Sequence, residues 1–206
     1  MGSARYITRM TVPPRIVVGI SGASGVILGV RLLEILRRIG VESHLVISRA
    51  AEVTLAHETD LKPAQVRALA DVNYPAADIG AAIASGSFRT LGMIVAPCSI
   101  RTMSEIATGV TSSLLTRAAD VVLKERRRLV LMVRETPLHL GHLRTMTQLA
   151  EMGAVVAPPV PAFYAKPQSL DDVVNHTVGR ALDLFGLEAG IVNRWGEPSQ
   201  TEPAEA

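Results

Sequence analysis

The sequence predicts an α/β protein whose sheet is mostly parallel and covered by helices on both faces. Short β-branched runs alternate with longer segments whose apolar residues recur at helical spacing. The strand-like runs stop on Gly, Ser or Pro, as strands entering turns do. At 206 residues the chain suits one domain better than two and can bury a sizeable core.

The elements follow in order. Arg15-Ile16-Val17-Val18-Gly19-Ile20 reads as a buried strand, followed by the turn Ser21-Gly22-Ala23-Ser24-Gly25. Val26 to Ile39 is a helix with Leu28, Leu32, Leu36 and Ile39 on one face and Gly40 as its stop. His44-Leu45-Val46-Ile47 is a second strand ending at Ser48. Ala50 to Ala56 and Leu61 to Leu69 are helical, with Pro63 in the first turn of the latter. Asp71 to Ser87, rich in Ala, Gly and Ser, reads as a long surface excursion. Met93-Ile94-Val95-Ala96 is a strand stopped by Pro97, and Thr102 to Ala107 and Ser113 to Arg127 are helices. Leu129 to Val133 is the clearest strand. Thr145 to Met152 is a helix, and Ala154-Val155-Val156 a short strand. Ser169-Leu170-Asp171-Asp172 has the form of a helix start, with Val174, Val178, Ala181 and Phe185 as the stripe that follows. Residues 1–14 read as an extension, 15–196 as a single domain, and 197–206 as a polar, unstructured tail.

Composition narrows the function. A net charge of +2 without a dense basic stripe argues against nucleic acid, and 3% aromatic residues argue against single-strand stacking. No run approaches a membrane span, and residues 1–14 lack the apolar stretch of a secretion signal. Cys98 is the only cysteine, so a reducing, cytoplasmic setting is expected. With 48% hydrophobic and 19% charged residues, part of the surface is expected to be buried against further copies of the chain.

Ligands of such sheets sit at the carboxyl ends of the strands. The Gly19 to Gly25 turn brings small residues and helix-start amides that favour an anion, or it is simply a tight turn. It is neither a dinucleotide fingerprint nor a P-loop. After the Met93 strand, Ser99, Thr102 and Ser104 offer hydroxyls for a ligand or for helix capping. Cys98 has no activating base beside it and reads as a buried filler. After the Leu129 strand, Arg134 has the planar fork that binds phosphate and Glu135 could move a proton, a pair well placed for chemistry; a salt bridge that closes the strand end is the alternative. Arg117, Asp120 and Lys124 share a helix face and could pair among themselves. Arg180 lies off its helix's apolar stripe. His57, Asp60, His139 and His142 lack metal-site spacing, so no metal is expected.

Taken together the strand-end segments resemble the flavin prenyltransferase (UbiX) family. The resemblance is carried by Gly19 to Gly25, Glu58-Thr59-Asp60, Ala84 to Ser87, Pro97-Cys98-Ser99, Arg117 to Val121, Leu123 to Arg127, Arg134 to Leu138, Pro161 to Tyr164 and Arg194-Trp195-Gly196. It implies a flavodoxin-like three-layer αβα sandwich, assembled as a dodecamer with flavin at subunit boundaries. It implies FMN, reduced, as co-substrate and dimethylallyl monophosphate as prenyl donor, joined at flavin N5 and then C6 without a metal. The product would serve a UbiD-type decarboxylase, the activity behind the family's older name of aromatic-acid or 3-octaprenyl-4-hydroxybenzoate decarboxylase.

Residue by residue, the resemblance places Gly22, Ala23, Ser24, Ser48, Ser99, Ile100, Arg101, Thr102 and Arg134 against the flavin. Lys124, Arg134, Tyr164 and Arg180 would grip the donor phosphate, with Arg117 in support. Glu135, Ser24, Glu58 and Lys124 would be the catalytic groups. Ile79 departs from members with a tryptophan there and cannot supply its π face; Trp195 remains as an aromatic wall or a C-terminal anchor. Two other readings stand beside this one: a flavin-dependent cysteine decarboxylase, which shares the fold, and a non-catalytic FMN carrier subunit.

Overall fold

The computed structural model describes residues 13–196; apart from Pro13 and Pro14, the expected extension and the expected tail lie outside them. The strands are β1 (Arg15–Ile20), β2 (Glu42–Ile47), β3 (Val72–Tyr74), β4 (Gly92–Cys98), β5 (Arg128–Val133) and β6 (Val155–Val156). They form one sheet in the order β3-β2-β1-β4-β5-β6, with every pairing parallel. Without the three-residue edge strand β3, this is the flavodoxin-like order, with its switch point between β1 and β4.

The helices are α1 (Ile27–Arg38), α2 (Arg49–Glu58), α3 (Pro63–Arg67), α4 (Ile100–Ala107), α5 (Leu114–Lys124), α6 (Leu140–Glu151) and α7 (Leu170–Asp183). Strand residues alternate between two cores. Ile16, Val18, Ile94, Val130 and Met132 face α1, α2, α3 and α7, while Val17, Met93, Val95, Leu129 and Leu131 face α4, α5 and α6. Both faces are thereby buried, which is why these strands read as continuous apolar runs. The helices change faces at the switch point, and the sequence's three layers result.

Four segments differ from the sequence reading. The expected excursion at Asp71 to Ser87 contains β3 and a 3-10 turn at Ala82–Ala84, with Ala81 and Ile83 buried in the second core. Three residues are too few for an alternation to show. β4 continues through Pro97 to Cys98, past a cis Ala96–Pro97 peptide and a register shift against β5 between Val95 and Cys98. That irregularity accommodates a residue with no N–H to give the ladder. α5 stops at Lys124 because Arg126 takes φ 54, and Arg127 turns back to donate to the Phe88 and Gly86 carbonyls. α6 starts five residues before Thr145, capped by His139, whose Nδ1 accepts from the Gly141 and His142 amides. On α7, Val174, Val178 and Ala181 are buried as expected; Phe185 lies beyond the helix end, half-buried.

Candidate active site

The crevice at the switch point is built around Ser21. This residue is fully buried, its Oγ donates to the Pro97 carbonyl at 2.9 Å, and the same oxygen accepts from the Ser99 amide at 2.7 Å. Its own amide donates to the Pro97 carbonyl at 3.2 Å. One hydroxyl thus ties the end of β1 to the end of β4. The sequence reading gave Ser21 no role, because both its partners are 76 residues or more away.

Gly22 follows, and a side chain there would put its Cβ 2.4 Å from the Ala50 Cβ. Only glycine lets the turn close over α2. Ala23 is half-buried, and Ser24 is exposed and makes no hydrogen bond with the described residues. Glu58, at the end of α2, aims its carboxylate at the start of α1: it accepts from the Gly25 amide at 2.9 and 3.1 Å and from the Val26 amide at 3.1 Å. α1 has no capping side chain of its own. Two of the helix-start amides that the sequence offered to an outside anion are therefore held by an internal carboxylate.

Ser48 and Ser99 cap α2 and α4, accepting from the Ala51 amide at 3.1 Å and the Thr102 amide at 3.3 Å. The Ser99 hydroxyl donates to Thr102 Oγ1 at 3.1 Å. Ile100 is half-buried and Thr102 buried, while Arg101, with a side chain 83% exposed, turns away to pair with Glu105. Cys98 is fully buried, and burial pushes its thiol far above its ordinary range, leaving it a neutral core atom.

Arg134 and Glu135 leave the end of β5 exposed, and they do not pair with each other. Arg134 is anchored by its backbone amide, which donates to the Cys98 carbonyl at 3.1 Å. Glu135 accepts from the Thr136 amide at 2.9 Å. Their charges remain available to a ligand.

Tyr164 and Arg180 come together. They line a cavity of about 400 Å3 between β5, β6 and α7, walled by apolar groups that include Met132, Val155 and Leu184. Arg180 is steadied by Asp183, whose Oδ2 accepts from it at 2.6 Å while Arg194 grips both Asp183 oxygens at 2.9 Å. Burial alone would raise the Asp183 carboxyl, but hydrogen bonds from Arg194 and Arg180 outweigh it and hold the group below its usual range. Trp195 is 81% exposed yet packs edge-on to Tyr164 at 5.4 Å. His176, unmarked in the sequence reading, lines the same cavity.

Arg117 and Lys124 do not join them. Arg117 pairs with Asp120 at 2.6 Å on α5, on the opposite face of the sheet from α7. Lys124 pairs with Glu125 at 2.5 Å at the end of α5, next to Gly86. That contact depresses the Glu125 carboxyl. α5 leads into the start of β5, so Lys124 lies at the amino end of the sheet, about 20 Å of strand from the carboxyl-end crevice. The expected site residues therefore fall into three groups within one chain.

This geometry defines a class: a doubly wound, flavodoxin-like α/β protein, in which ligands bind at the carboxyl ends of the strands by the switch point. The sequence profile of the Flavoprotein family matches residues 5–182. The flavin prenyltransferase UbiX of Escherichia coli (strain K12) is 64% identical over 184 residues, which cover 88% of this chain and 97% of that protein. The Thauera aromatica UbiX is 56% identical over 192 residues, 93% of this chain and 99% of that protein. The crystal structure of AnUbiX in complex with FMN and dimethylallyl pyrophosphate superposes with a TM-score of 0.89 at 51% identity, covering 91% of this chain and all of that one. A dodecameric FMN-dependent UbiX-like decarboxylase from Escherichia coli O157:H7 gives 0.87 at 50% identity, with 89% and 100% covered. The chain belongs to the flavin prenyltransferase (UbiX) family. The cysteine decarboxylase TvaF, at 18% identity and a TM-score of 0.58, shares the fold alone.

Proposed function

We propose that this chain transfers the dimethylallyl group of dimethylallyl monophosphate to reduced FMN, forming prenylated FMN for a UbiD-type decarboxylase in the cytoplasm. Residues 15–196 act as one flavin-binding domain. The observation that carries the proposal is the cavity holding Tyr164 and Arg180, an acceptor-seeking hydroxyl and a guanidinium against apolar walls. Its volume suits a five-carbon phosphate ester. The family relatives support the reaction, and the AnUbiX complex supports the ligand pair, although its donor is the pyrophosphate.

The switch-point crevice fits a flavin. Gly22 and Ala23 leave the ring system room, and Ser48 and Arg134 bring donors from two strand ends, with Ser99 between them at the end of β4. The bound flavin supplies a nucleophilic N5 and, for ring closure, C6. The chain supplies the rest. Arg180, Lys124 and Arg134 neutralise the growing charge on the departing phosphate, and Tyr164 donates a hydrogen bond to it. Glu135 would help pass the C6 proton lost on ring closure to the released phosphate, and the apolar wall keeps water from the allylic carbon. Glu58 fixes the Gly25 turn, and with it Ser24.

Because Lys124 and Arg117 lie apart from Tyr164 and Arg180, the complete site draws on more than one copy of the chain. A homo-oligomer, dodecameric as in the Escherichia coli O157:H7 neighbour, supplies those copies. Exposed Ile79, Leu140, Val160, Phe163 and Leu170 offer apolar surface for the contacts.

The test is anaerobic incubation with reduced FMN and dimethylallyl monophosphate, the flavin being read by mass spectrometry. The expected product is heavier by one C5H8 unit and absent with Glu135→Gln. Unchanged flavin, from a protein that still binds it, would favour a carrier or a cysteine decarboxylase instead.

A further inference from the structure

His176 sits on α7 one turn before Arg180, on the same side of the helix, and lines the Tyr164 cavity. It is only 8% exposed. Its Nε2 lies 3.3 Å from the Tyr164 hydroxyl, with the rings edge to face at 5.6 Å and 82°. The proposed reaction gives this buried imidazole no task.

We propose that His176 is a positioning residue: it donates from Nε2 to the Tyr164 oxygen and so turns the phenolic proton toward the donor's phosphate. The proposal rests on the reading of Tyr164 as a phosphate ligand. A phenol has one proton to give and lone pairs to receive, whereas phosphate oxygens of the dianion only receive. If Tyr164 gave its proton to His176, its lone pairs would face the phosphate and repel it. With the proton on His176 Nε2, the hydrogen bond runs from imidazole to phenol to phosphate. Each donor in the chain then meets an acceptor, and the hydrogen bond to the phosphate is charge-assisted. The edge-to-face packing and the burial of His176 hold the imidazole against the phenol before the donor arrives.

The experiment measures KM for dimethylallyl monophosphate, kcat and the FMN Kd in His176→Leu, His176→Gln, Tyr164→Phe and the Tyr164→Phe/His176→Leu pair. Leucine removes the donor at similar volume; glutamine returns an N–H to about the same reach. His176→Leu is expected to raise KM about fivefold, the weight of one neutral hydrogen bond, with the FMN Kd unchanged. His176→Gln recovers most of that loss. In the Tyr164→Phe background, His176→Leu adds less than about twofold, because the two act as a unit. Three results overturn the proposal: an equal His176→Leu effect with and without the tyrosine hydroxyl, no recovery in His176→Gln, or an unchanged KM in His176→Leu. An unchanged KM in Tyr164→Phe alone removes the phosphate role of Tyr164 itself, which is a different failure.

Discussion

Ser21→Ala tests whether one hydroxyl holds the switch point closed. In the native chain that oxygen gives a proton to the Pro97 carbonyl and takes one from the Ser99 amide, with Ser21 completely buried. Alanine leaves the Pro97 carbonyl with the Ser21 amide as donor, so that group stays satisfied. The Ser99 N–H loses its acceptor. An orphaned donor of this kind costs about 1–3 kcal/mol, and about 2 kcal/mol is expected here. In a chain of this length each kcal/mol moves the melting midpoint by roughly 2–4 °C, giving a fall of about 4–8 °C. The assay is thermal unfolding at fixed protein concentration, with Ser24→Ala as the control. Ser24 is exposed and makes no hydrogen bond with the described residues, so its loss moves the midpoint by less than about 1 °C. A Ser21→Ala midpoint within about 1 °C of the parent, or an equal fall in Ser24→Ala, would refute the clamp.

Two further perturbations follow from the same geometry. Gly22→Ala forces its Cβ into Ala50 and should weaken FMN binding by about tenfold or more; adding Ala50→Gly, which removes the nearest contact at 2.4 Å, should restore part of it in an FMN titration. His44 is 2% exposed, its ring held by Glu42 at 2.8 Å and the Tyr74 hydroxyl at 2.9 Å, and burial lowers its pKa despite the help of Glu42. The unfolded chain therefore takes up the proton first as pH falls, so stability is full above pH 6.5 and declines below it; urea midpoints between pH 7.5 and 5.5 should show that slope, and His44→Phe should flatten it.

What the sequence revealed of this fold depended on how local each signal was. β1 and β5 each open on an arginine and then run through five consecutive buried, uncharged residues, so their composition alone marks them. The start of α7 is written in four residues: Ser169 Oγ accepts from the Asp172 amide at 3.1 Å, and Asp172 accepts back from the Ser169 amide at 3.0 Å. The start of α6 was hidden because its cap is an imidazole, a residue type with no capping signature, and because Leu140 and Leu143 are exposed and draw no stripe. Glu58 is an expected site residue, but its bond to the Gly25 turn spans 33 positions and leaves no local mark. His176 was invisible because it lies off the apolar stripe, beside Arg180, and looks like one more surface polar residue until the fold brings Tyr164 against it.

The separation of Lys124 from Arg180 leads to the last prediction. In a parallel sheet every helix runs back from the carboxyl end to the amino end, so a residue at a helix terminus that feeds a strand cannot reach its own chain's strand ends. Lys124 is such a residue, and Arg180 lies on the opposite face. If each active site takes its lysine from one copy and its arginine from another, then Lys124→Ala and Arg180→Ala should each be inactive as pure oligomers. Co-expressed in equal amounts and assembled at random, they should regain about a quarter of parental activity, because a site is intact only when the lysine comes from an Arg180→Ala copy and the arginine from a Lys124→Ala copy. Product formation by the mixed oligomer is read by mass spectrometry, against the two pure variants mixed only after assembly. No recovery in the co-expressed oligomer would mean that one copy supplies both charges, and that the route between them is a rearrangement of the single chain.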